Sequence, residues 1–149
     1  MVVYDIELSP VHDHCDERTW NSVRLDFENE KYDGAFMAPP CGTLCTNRGS
    51  GTGPRVLREE LPPGLYGVKG LTPEEKELVR IGTCLALRCL EVAKLLEKQN
   101  KPYGWEQPKR REGGPSMFKL TEIGEYLRMS KATFVVFVQC VLGALTSKP

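Results

Sequence analysis

The chain has 149 residues, a length that favours one domain with room for a real core. Its 40% hydrophobic and 27% charged content fits an ordinary globular protein and argues against a disordered one. Lys plus Arg and Asp plus Glu each number 20, so formal net charge is zero and composition makes no electrostatic case for nucleic acid or membrane; any basic surface must be local. No apolar run approaches the roughly 20 residues that span a bilayer, and no basic-then-apolar leader opens the sequence. Cys15, Cys41, Cys45, Cys84, Cys89 and Cys140 lack the rhythm of a disulfide framework. Reduced thiols in an intracellular setting, cytoplasm or nucleus, are the expectation.

Val2 to Leu8 is β-prone and reads as a strand with Glu7 at its carboxyl end. Pro10 to Val23 is polar, anchored by Trp20 and Val23, and reads as a short helix. Arg24-Leu25-Asp26-Phe27 is a brief apolar-acidic segment. Tyr32 to Ala38 is a short apolar run stopped by Pro39-Pro40, neither of which has an N–H for a sheet ladder. Cys41 is thereby presented where the chain leaves a strand. In open α/β sheets that edge is where ligands bind. Thr46 to Gly70 is rich in Gly, Pro and Arg, and a loop so long is more often functional than idle.

Thr72-Pro73-Glu74-Glu75 is a strong helix start, with a cap, a proline at the first helical position and a capping-box glutamate. Leu78, Ile81, Leu85, Cys89, Val92 and Leu96 follow at helical steps, flanked by Ala86, Leu87, Leu90 and Ala93, so a broad apolar face is expected. Asn100-Lys101-Pro102 ends it. Tyr103 to Pro108 reads as a short strand containing Glu106, and Lys109 to Pro115 as a basic loop. Leu120, Ile123 and Leu127 mark a short helix, and Phe134 to Leu142 a β-branched strand. The alternation of strands and helices predicts an α/β fold with a mostly parallel sheet.

Glu7, Asp26, Cys41 and Glu106 thus fall at predicted carboxyl ends of strands or segments. The ordered set resembles the DNA (cytosine-5) methyltransferases of phage and mobile-element type. Asp33 to Cys41, Asp-Gly-Ala-Phe-Met-Ala-Pro-Pro-Cys, is similar to the strand-to-nucleophile motif. Tyr103-Gly104-Trp105-Glu106-Gln107-Pro108 is similar to the family's Glu-Asn motif. Gln139 to Gly143, with Lys148-Pro149, resembles its late strand. The resemblance implies a Rossmann-like core that binds S-adenosyl-L-methionine. Cys41 would add to cytosine C6, and Glu106 would face the ring nitrogen N3. Glu7 would contact the cofactor ribose and Asp26 its adenine, with Pro39 beside it. A thiolate suits the attack because it combines adequate population near neutral pH with high nucleophilicity.

The target base would have to leave the DNA duplex. Arg48, Arg55, Arg58, Lys109, Arg110 and Arg111 lie in loops where phosphate contacts would be wanted. The family's glycine-rich cofactor loop and its late Arg-x-Arg element are not matched, and Gln107 replaces the usual Asn. An internal fragment, truncated at both ends, is therefore expected. A catalytically inactive remnant and a nucleic-acid-binding module are the alternatives. His12-Asp13-His14-Cys15 is spaced too tightly for one tetrahedral metal site and reads as a solvated helix face; no metal is expected.

Overall fold

A computed structural model describes residues 2, 9, 12–44, 54–108 and 113–136. The frame is built on the long helix. Thr72 Oγ1 accepts from the backbone N–H of Glu75, and the Glu75 carboxylate accepts from the N–H of Thr72, closing the expected capping box. Pro73 takes the first helical position, and the helix, counted here with the others in chain order, is α2 (Pro73–Lys98). Asn100 ends it in the left-handed region at φ 56°, which Asn tolerates better than most residues.

Before it come α1 (Glu17–Glu28) and β1 (Ala35–Met37); after it come β2 (Tyr103–Trp105) and α3 (Thr121–Met129). The 3₁₀ turns Gly64–Tyr66 and Met117–Lys119 punctuate the loops. The two strands pair in parallel, with Ala35 opposite Tyr103, Phe36 opposite Gly104 and Met37 opposite Trp105. Parallel neighbours need a long crossover, and the segment that contains α2 supplies it. Among the described residues no helix is long and apolar enough to cross a membrane.

The core lies between α2, α1, α3 and the strand pair. Trp20, Val23 and Phe27, one face of α1, bury against it together with Ala86, Leu90, Ala93 and Leu96 of α2. The Trp20 indole N–H donates to Glu91 at 3.0 Å, and the Arg88 guanidinium stacks on the same ring at 4.8 Å. From α3, Ile123 and Tyr126 complete the core; the Tyr126 hydroxyl bonds Tyr103 of β2 at 2.8 Å and Glu97 of α2.

Several expectations change. The segment Arg24–Phe27 is not separate: it is the second half of α1, which begins at Glu17, capped by Asp16. Trp20, Val23 and Phe27 continue one helical stripe across the expected boundary. Asp26 accordingly sits on a helix, not at a strand end. The residues His12–Cys15 form the turn ahead of that helix. On α2 the buried residues are Val79, Gly82, Ala86, Leu90, Val92, Ala93 and Leu96, so the expected Val92 and Leu96 are buried while the expected Leu78 is exposed. Phe134, Val135 and Val136 carry no strand and are exposed; the rest of that expected strand, and residues 3–8 of the first, lie outside the described residues.

Candidate active site

Cys41 follows β1 by way of Pro39 and Pro40, and opens a tight turn in which the N–H of Leu44 donates to the Cys41 carbonyl at 2.8 Å. The residue is half-buried. Among the described residues, a Cβ placed on Gly42 would meet nothing within 4 Å. Glu106 follows β2. Its N–H donates to the Met37 carbonyl at 2.8 Å, one further bond beyond the paired strands. Because the strands are parallel and adjacent, Cys41 and Glu106 leave the sheet at the same edge.

Two side chains from elsewhere in the chain hold the turn. Gln107, next to Glu106, donates from Nε2 to the Leu44 carbonyl at 2.9 Å. Its Oε1 accepts from Ser116 Oγ at 3.1 Å and from the Met117 N–H at 2.8 Å. The residue at the place of the expected Asn therefore ties the post-β2 segment to the post-β1 turn. The second is Arg58, only 1% exposed. It donates from Nε to Thr43 Oγ1 at 3.1 Å, from Nη1 to the Leu65 carbonyl at 2.7 Å, and from Nη2 to the Val79 carbonyl at 2.6 Å and Thr83 Oγ1 at 3.0 Å. Burial pulls its guanidinium down to about 10, with Tyr66 pulling the other way, so it is still a cation at neutral pH.

That geometry corrects the expectation that Arg58 contacts phosphate from a loop surface: its donors point inward to protein oxygens. Arg55 is exposed and pairs with Glu75 at 3.2 Å. Glu7, Arg48, Lys109, Arg110 and Arg111 lie outside the described residues. Comparison of the chain with protein-family models, with curated proteins and with solved structures finds no match.

Of the three residues expected to hold S-adenosyl-L-methionine, Pro39 stands at the strand edge, half-buried. The Asp26 carboxylate, on α1, instead accepts from Lys31 Nζ at 2.9 Å and from the Tyr32 hydroxyl at 3.0 Å. Among the described residues, Asp26 is thus engaged with its own neighbours and is not placed at a strand end beside Pro39.

The edge thus carries a thiol residue after one strand and an acid after its parallel neighbour. Arg58, Thr43, Thr83 and Gln107 were missed by sequence reasoning as site-building residues. One signal was available. Gly82 sits in the interior of α2, where glycine costs about 1 kcal/mol relative to alanine, and such a glycine marks close approach. A Cβ there would lie 2.6 Å from Thr43 Oγ1 and 3.3 Å from Arg58 Nη2.

Proposed function

We propose that this chain is a DNA (cytosine-5) methyltransferase-like domain with a Rossmann-like ancestry, in which Cys41 engages cytosine and Glu106 faces its ring. The observation that supports this reading is the parallel pairing of β1 with β2, which delivers the Pro-Pro-Cys corner and Glu106 to one sheet edge.

In this proposal the Cys41 thiolate adds to C6 of a cytosine rotated out of the duplex. The C5–C6 π pair moves toward C5 and the ring, and Glu106 stabilises the change by a hydrogen bond at N3. C5 then takes a proton from solvent. Loss of the other C5 hydrogen as a proton, with departure of the thiolate from C6, restores cytosine and the free enzyme. S-adenosyl-L-methionine is the methyl donor of the parent reaction and would supply an electrophilic methyl group.

The base-engaging steps have their own readout. DNA carrying tritium at cytosine C5 should release tritium to water when incubated with the wild-type chain, and Cys41→Ser should reduce release to the buffer rate. Equal release by both proteins removes Cys41 from the reaction. Salt-dependent DNA binding by both proteins, with no release by wild type, identifies a nucleic-acid-binding module instead.

A further inference from the structure

We infer that Arg58 is a positioning residue for the Cys41 thiol, acting through Thr43. The inference rests on the proposed function only in taking Cys41 as the reacting group. Arg58 bridges three parts of the chain: the Cys41–Leu44 turn through Thr43, the 3₁₀ turn through the Leu65 carbonyl, and α2 through Val79 and Thr83. A guanidinium suits this task because its donors are fixed in one plane. Every oxygen in those four bonds belongs to a carbonyl or a hydroxyl, so the cation is not buried to make an ion pair.

Burying a charge without a counter-charge is a poor way to gain stability. Its gain here is geometric. With Arg58 holding residue 43 and Gln107 holding residue 44, the two positions after Gly42 are each fixed by a side chain from elsewhere in the chain. Gly82 serves the same arrangement, since only a residue without Cβ lets Thr43 Oγ1 and the Arg58 fork come so near the helix. The thiol residue thus opens a turn whose residue 43 is tied through Arg58 to α2 and whose residue 44 is tied to Gln107.

Cys41 reactivity in the 149-residue chain tests this without DNA. Alkylation by iodoacetamide is followed peptide by peptide by mass spectrometry, with Cys89 on α2 as the internal reference. Arg58→Lys keeps the charge but loses the fork. Thr43→Val keeps Arg58 and its other three bonds but cuts the link to the turn. Loss of a hydrogen bond to a charged group frees the turn enough to change the Cys41 rate on the order of tenfold. The expected result is acceleration at Cys41 with Cys89 unchanged. An unchanged Cys41 rate in Thr43→Val overturns the inference. So does a parallel rise at Cys41 and Cys89, which would make Arg58 a general fold stabiliser. A Cys41-selective response in a chain that releases no tritium from DNA retains the positioning role and removes the methyltransferase reading.

Discussion

Replacing Gly82 by alanine sets helix propensity against packing, and the structure decides which wins. In a free helix the change would stabilise by about 1 kcal/mol. Here the new methyl would lie 2.6 Å from Thr43 Oγ1, far inside ordinary contact. Thr43 cannot simply turn away, because its hydroxyl accepts from Arg58 at 3.1 Å. Overpacking costs about 1–3 kcal/mol, and a weakened bond to the guanidinium adds about 1.5–3 kcal/mol if it is lost outright. Net of the propensity gain, the expectation is destabilisation by about 0–2 kcal/mol with the bond kept and about 1.5–5 kcal/mol with it lost. In α3, a Cβ at Gly124 would meet nothing closer than the Phe118 carbonyl at 3.5 Å, an ordinary contact. Gly124→Ala should therefore stabilise by about 0.5–1 kcal/mol. At about 2–4 °C per kcal/mol for a chain of this size, thermal unfolding should separate the two variants in opposite directions from wild type. A higher Tm for Gly82→Ala would refute the close packing of Thr43 and Arg58 on α2.

Two further outcomes concern stability. Thr72→Ala removes the side-chain acceptor of the capping box, and should lower the unfolding free energy by about 1 kcal/mol in a denaturant titration; an unchanged midpoint would mean the cap contributes nothing. Burial pushes the Cys89 thiol up to about 12 from its ordinary 9.0. The unfolded chain gives up that proton first, so the contribution is complete below pH 9.0 and lost as pH rises toward 12. Unfolding free energy should fall as pH rises from about 9 toward about 12, by up to about 1.4 kcal/mol per pH unit for this one group. The fall should be shallower in Cys89→Ala, and equal slopes would exclude the thiol as its source.

Local chemistry was readable where a few neighbouring residues decide the outcome. Thr72, Pro73 and Glu75 announce the start of α2, and two prolines announce the end of β1, because each acts within a turn of chain. Features set by distant partners were not readable in the same way. Arg58 lies in a Gly- and Pro-rich loop, where an arginine reads as a surface charge; only the approach of Thr43, Leu65 and α2 turns it inward. The centre of the α2 face was displaced for a related reason. Periodicity weighs large apolar side chains most, whereas the buried face also includes the small residues Gly82, Ala86 and Ala93. For α1, a polar composition concealed a stripe of three apolar residues whose spacing was already helical. Asp26 was consequently read as the end of an extended segment.

The pairing of β1 with β2 has a consequence in time. Its partners are roughly 70 residues apart along the chain, so their meeting closes a large loop before any ladder bond compensates the lost freedom. Helical turns within α2 can form from sequence neighbours alone, but the corner bearing residue 41 and the acid at 106 cannot become neighbours until that closure is complete. Whatever chemistry this edge performs is thereby reserved for the fully folded chain.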